Sequence, residues 1–133
     1  MNDPRAKRVL LVDDEADVRD ILALMLESMG VYVVCAEGSS KALALYRADN
    51  FDLVVTDYNM PEMRGDELAA QIKLLAPLQR VYLMSGFAET TFQDSPFKSS
   101  VDGFLSKPCN LDQLIDALNG KTPHAPGLSR IAA

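Results

Sequence analysis

The chain is predicted to fold as an α/β domain: a doubly wound, five-stranded parallel sheet with helices on both faces. Two observations carry this prediction. Short runs rich in Val and Leu, bounded by charged or turn-forming residues, recur five times, the pattern of strands buried on both faces of a parallel sheet. Between them lie segments whose apolar residues return at helical spacing, and strand alternating with helix calls for right-handed crossovers over a sheet covered on both sides.

The first run, Val9, Leu10, Leu11 and Val12, passes directly into Asp13, Asp14 and Glu15, so this strand delivers carboxylates to one end of a core. Val18, Ile21, Leu22, Met25, Leu26 and Met29 then mark a helix, stopped by Gly30 at the C′ position. VYVVCA at 31–36 is a β-branched second strand. GSSKALALYRAD predicts a second helix with Ser39 or Ser40 as N-cap and Ala42, Leu43 and Tyr46 on one face. FDLVVTD at 51–57 is a third strand ending in Asp57; Pro61 and Gly65 mark the loop after it, and Leu68, Ile72 and Leu75 the third helix. RVYLMSG at 80–86 and DGFLSKP at 102–108 are the fourth and fifth strands, the last ended by Pro108. Between these two, FAETTFQDSPFKSS is interrupted by Pro96 and rich in Ser and Thr, and predicts a short or mobile helix. Asn110 caps a last helix in which Leu111, Leu114, Ile115 and Leu118 share a face before Gly120. Residues 121–133 have two prolines, a glycine and no periodicity, which predicts a flexible tail after a domain at 6–120, with no effector domain following.

Length and composition bound what such a domain does. At 133 residues the chain makes one ordinary domain, and 48% apolar content excludes wholesale disorder. There is no run of about eighteen apolar residues to insert in a membrane, and the N-terminal MNDPRAKR has no apolar stretch behind its charges, so a cytoplasmic protein is expected. A net charge of −6 argues against a direct nucleic-acid partner. Cys35 and Cys109 lack any CxxC spacing and are expected as free thiols.

In doubly wound sheets ligands sit outside the carboxyl ends of the strands. Those ends carry Asp13 and Asp14 after the first strand, Asp57 after the third, Ser85 after the fourth and Lys107 after the fifth. Carboxylates gathered within a few ångströms stay ionised at neutral pH if a cation sits among them. Oxygen ligands without histidine suit Mg²⁺, which shares its shell with water and phosphate oxygens. Lys107 adds a positive charge and Ser85 a hydroxyl donor for phosphoryl oxygens.

VDD at 12–14, DYNMP at 57–61, MSG at 84–86 and KP at 107–108, in this order and spacing, resemble the receiver domain of bacterial two-component response regulators over roughly residues 6 to 120. The resemblance implies the flavodoxin-like strand order 2-1-3-4-5 and a phosphorylation-activated signalling switch. It implies that Asp57 is the phosphoacceptor, that Lys107 and Ser85 hold the phosphoryl group, and that Asp13, Asp14, Asp57 and the backbone carbonyl of Asn59 bind Mg²⁺. A histidine kinase or histidine phosphotransfer protein would be the donor, since the sole histidine, His124, lies in the tail. Ser85 and Phe104 take the family's switch positions, altering a surface of the fourth helical segment, the fifth strand and the last helix, where a partner or a second copy would bind. Such a domain catalyses only its own phosphorylation and dephosphorylation. The family's Lys-Pro bond, usually cis, would fall at Pro108. Phe87 and Cys109 depart from the commonest family pattern without touching the phosphorylation set.

Each residue alone has a plainer structural explanation. Asp pairs cap helices, Asp57 and Ser85 are turn formers, Lys107 is a surface charge and Phe104 is core. Their joint placement at successive strand ends is what those explanations leave out. A Mg²⁺-dependent aspartyl-phosphate phosphatase or phosphotransferase of similar topology is the alternative, but such enzymes generally carry a second Asp two residues past the nucleophile, where this chain has Asn59. A flavin binder would need a phosphate loop after the first strand, where this chain has acids.

Overall fold

The computed structural model describes residues 6–85, 95–107 and 109–120. Strands β1 (Arg8–Val12), β2 (Tyr32–Ala36), β3 (Leu53–Asp57), β4 (Val81–Ser85) and β5 (Gly103–Ser106) form one sheet in the order β2-β1-β3-β4-β5. Every neighbouring pair is parallel. Among the described residues four α-helices accompany it: α1 (Ala16–Glu27), α2 (Ser39–Ala48), α3 (Gly65–Leu75) and α4 (Leu111–Leu118). None of the described helices is long and apolar enough to cross a membrane.

The period of two along each strand sorts side chains into two cores. Val9 and Leu11, Leu53 and Val55, Tyr82 and Met84, and Leu105 face α1 and α4, meeting Leu22, Leu26, Leu114, Ala117 and Leu118. Leu10, Val12, Val54 and Val81 face α2 and α3, meeting Ala42, Leu68, Ala69 and Ile72. Both faces being covered, β3 and β4 are buried along their whole length, as their uninterrupted apolar runs require.

Helix faces are narrower than sequence spacing suggests. Leu22 and Leu26 are buried, with Val18, Met25 and Met29 packed beside them, whereas Ile21, about 100° around the helix from Leu22, is mostly exposed. Leu111 and Ile115 similarly sit at the rim of α4, whose buried stripe is Leu114, Ala117 and Leu118. Leu75 is half exposed because it is the last residue of α3. Gly30 ends α1 as expected: at φ +82°, its N–H donates to Glu27 O and the Val31 N–H to Leu26 O, the paired bonds of a Schellman motif.

Caps divide into one confirmed and one corrected. Asn110 accepts from the Gln113 N–H and Gln113 reaches back to the Asn110 N–H, a complete capping box on α4. Neither Ser39 nor Ser40 caps α2. Its N-cap is Gly38, without a side-chain bond, and Ser40 donates its hydroxyl to Glu62 at 2.9 Å. At the other end of α4, Arg80 donates to the carbonyls of Ala117 and Leu118 at 2.9 and 3.2 Å, and the Ala117 carbonyl also accepts from the Gly120 N–H at 3.1 Å.

The expected fourth helix is not seen where the chain is described. Residues 95–100 make a turn and a single 3₁₀ turn at Lys98–Ser100, with Pro96 at its entry. Gly86, Phe87 and the rest of 86–94 lie outside the described residues, as do Pro108 with its expected cis bond and the expected tail at 121–133. Asp102 locks the entry to β5: its carboxylate accepts from the Val81 N–H at 2.8 Å and from Lys73 Nζ at 2.7 Å, while its own N–H donates to Val81 O. Cys35 and Cys109 are both free.

Candidate functional site

The register brings the strand ends level. Val12 lies opposite Thr56, so the next residues, Asp13 and Asp57, stand side by side; Asp57 lies opposite Met84, and Ser85 opposite Ser106. Residues 9, 11 and 13, then 53, 55 and 57, then 105 and 107, continue alternating rows on the same face, so Asp13, Asp57 and Lys107 converge.

Asp13 is fully buried. Its Oδ1 accepts from the Glu15 N–H at 2.9 Å and its carbonyl accepts from Arg19 Nη1 at 2.7 Å, so the first turn of α1 fixes it. Its Oδ2 is buried without a hydrogen-bond partner, with only the Lys107 ammonium 3.4 Å away. Burial, with a contribution from the nearby Asp57 charge, raises its pKa above the ordinary carboxylate value, against the opposing pull of the Glu15 N–H and Lys107. Asp14 is exposed, and oxygens of Asp13, Asp14 and Asp57 all lie within 4.8 Å of one another. An orphaned buried oxygen within three clustered carboxylates is a donor set that fits a hard divalent cation.

Asp57 is nearly buried and its Oδ2 accepts from Lys107 Nζ at 3.0 Å. Partial burial works against the charged ammonium of Lys107, but hydrogen bonds to Glu15 and Asp57 outweigh it and hold its pKa well above the ordinary lysine value. Ser85 is buried at the end of β4. Asn59 is exposed on the loop after β3, between the buried Tyr58, whose N–H donates to Met84 O at 3.0 Å, and the buried Met60. Phe104 is partly buried, packed against the small cluster of Tyr58 and Leu83 on the α3 side of the sheet.

Three site features escaped the sequence reading. Glu15 accepts no capping bond from α1 but places Oε1 2.8 Å from Lys107 Nζ, across 92 residues of chain. Gly65 is the first residue of α3 as well as a loop marker: a Cβ there would lie 2.2 Å from the Asp57 carbonyl oxygen, so only glycine lets the helix start against the strand end. Asp66, almost fully buried, accepts from Ser95 Oγ and ties the segment before β5 to α3. Only Gly65 carried a visible signal, as a glycine eight residues past Asp57. The site thus presents a carboxylate at a strand end, an ammonium in contact with it and a cluster of acids able to hold a cation, the parts needed for charge-neutralised attack on phosphorus.

Comparison with known proteins gives the family of the chain. A family model described as "Response regulator receiver domain" matches residues 9–119. The response regulator receiver protein CpdR of Brucella abortus is 33% identical over 84% of this chain and 93% of its own length. The sensor histidine kinase AruS of Pseudomonas aeruginosa is 36% identical over 96% of this chain, but only 13% of that protein is covered. Against the transcriptional regulatory protein GlrR of Escherichia coli, 32% identical, the chain spans a quarter of the relative's length, 25%. Among solved structures, the response regulator protein TrrA of Thermotoga maritima in complex with Mg²⁺-BeF has a TM-score of 0.77 at 28% identity, covering 85% of this chain and 96% of that one.

Proposed function

Because the chain belongs to the response regulator receiver family, whose standard role is that of a phosphorylation-activated switch, we propose that it accepts a phosphoryl group on Asp57 from a phosphohistidine and signals through the surface this changes. The observation that carries the proposal is the 3.0 Å contact between Lys107 Nζ and Asp57 Oδ2 beside the clustered Asp13 and Asp14. An Asp57 oxygen attacks phosphorus, the bond from phosphorus to the donor imidazole breaks, and the imidazole leaves with a proton from solvent. Lys107 follows the developing charge onto a phosphoryl oxygen, and Ser85 is placed to donate to another. Alignment and charge neutralisation suffice for this step, so no general base is needed.

Asp13, Asp14, Asp57 and the Asn59 carbonyl would hold Mg²⁺, consistent with the orphaned Asp13 Oδ2 and with the Mg²⁺-BeF complex named for TrrA. When bound, it supplies neutralisation of phosphoryl charge. The donor is a histidine kinase or a histidine phosphotransfer protein, and the protein acts in the cytoplasm without catalysing turnover of another substrate. Residues 6–120 are the working unit. Ser85 and Phe104 relay the charge change to residues 95–100, β5 and α4, where a partner or a second copy docks.

Incubation with acetyl phosphate and Mg²⁺ followed by intact mass measurement tests this. The wild type is expected to gain one phosphoryl group and Asp57→Asn none; an adduct that persists in Asp57→Asn overturns the assignment.

A further inference from the structure

We propose that Glu15 is a positioning residue that competes with the phosphoryl group for Lys107, and so lowers the affinity of the site for that group. The inference rests on the phosphoacceptor reading above and extends it to a residue that reading leaves without a role. A lysine ammonium has three N–H donors. Three carboxylates surround this one, Glu15 at 2.8 Å, Asp57 at 3.0 Å and Asp13 at 3.4 Å. Two of its donors are committed, to Glu15 and Asp57, while Asp13 Oδ2 makes no hydrogen bond with it, so a phosphoryl oxygen arriving on Asp57 competes with those two contacts for the ammonium.

The displaced partner is set by what each carboxylate gains outside the contact. Asp13 and Asp57 are buried inside the site at the strand ends, whereas the Glu15 side chain is 62% exposed and regains water as soon as it lets go of the ammonium. Glu15 stands at the N-cap of α1 and makes no side-chain capping bond there, so letting go of Lys107 or keeping it leaves the helix end unchanged. It therefore holds the ammonium at the mouth of the site before phosphorylation and releases it to water afterwards. Its charge also opposes the incoming anion while favouring a cation at the same place. Removing that charge should strengthen binding of a phosphoryl-like anion and weaken, or leave unchanged, binding of the divalent cation alone. A side chain that merely supported the fold would weaken both.

The test titrates the full chain with beryllofluoride at saturating Mg²⁺, following amide shifts by NMR, and with Mg²⁺ alone. Glu15→Gln is expected to bind beryllofluoride about two- to fivefold more tightly, the range an exposed ion pair supports, with Mg²⁺ affinity equal or lower and the melting temperature retained. Glu15→Asp keeps the charge but is too short to hold the same contact, and is expected to fall between wild type and Glu15→Gln. In a Lys107→Ala background the Glu15→Gln change should fall below about twofold. Unchanged or weaker beryllofluoride binding in Glu15→Gln overturns the proposal. So does a Glu15→Asp chain that behaves like wild type, or an undiminished effect without Lys107. Failure of the wild type itself to bind beryllofluoride would instead overturn the phosphoacceptor reading, so the two failures are distinguishable.

Discussion

Cys109 shows how far a single position can be read. It follows the lysine-proline pair and its side chain is buried in the core shared by α1 and α4, in one cluster with Leu105 and Leu114. Burial pushes its thiol up to about 11, from an ordinary value of about 9. The unfolded chain therefore loses this proton first, so between those values the unfolded state binds fewer protons and stability falls as pH rises. Urea denaturation of the wild type should lose on the order of 2 kcal/mol more between pH 9 and pH 11 than Cys109→Ala loses; equal slopes would show that the thiol is not held in the core. Asp13, Asp57 and Lys107 were legible in the sequence because each closes an apolar run whose period of two fixes the facing side. Glu15 was not, since its contact depends on β5 lying beside β4 with its end turned back over the ends of β1 and β3, and nothing within its own neighbourhood of sequence encodes a partner 92 residues away.

Among the elements, the helices were legible by existence and less so by face. Asn110 announced α4 because its side chain and that of Gln113 close a local box, a matter of three residues. Asn110→Ala should lower stability by about 1 kcal/mol in urea, with Gln113→Ala losing little more in that background, since the box is reciprocal; additive losses would mean that the two caps act separately. Ser39 and Ser40 looked equally good as caps, but the helix starts at Ser39 itself: Glu62 from the loop after β3 takes the Ser40 hydroxyl, and the Ser39 hydroxyl is buried without a partner. The rim positions Ile21, Leu111 and Ile115 share an origin: the apolar spacing is helical, but the buried stripe is narrower than the spacing allows. Before β5, Pro96 and the hydroxyl side chains gave a poor helix signal, and residues 95–100 show a lone 3₁₀ turn pinned by Ser95 to Asp66.

For the whole molecule, the order of the sheet could not be read from composition or period and came from family resemblance; the register then does the rest by setting Asp13 beside Asp57. If phosphorylation draws Ser85 toward the acceptor, the effect must travel from β4 to the partly buried Phe104, which packs with Leu83 and Tyr58. Phe104 has no hydroxyl to satisfy, so burying it fully costs less than burying Tyr. Beryllofluoride with Mg²⁺ should therefore shift amides of residues 95–106 as well as those around Asp57, and Ser85→Ala should confine the shifts to the site; confined shifts in the wild type would refute this route. The grip of Asp102 on Val81 and Lys73 bears on the form such a movement takes. It fixes β4 at the end away from the acceptor, making Asp102 a fulcrum and β4 a lever arm about 13 Å long from Val81 to Ser85. A displacement of about 1 Å at Ser85 is then a swing of only roughly 4°, small enough for the ladder bonds near Val81 to survive while those near Ser85 are sheared. Asp102→Ala would remove the side-chain half of that grip and leave the bond from the residue 102 N–H to Val81 O, a looser fulcrum about which the same swing would shear more of the ladder.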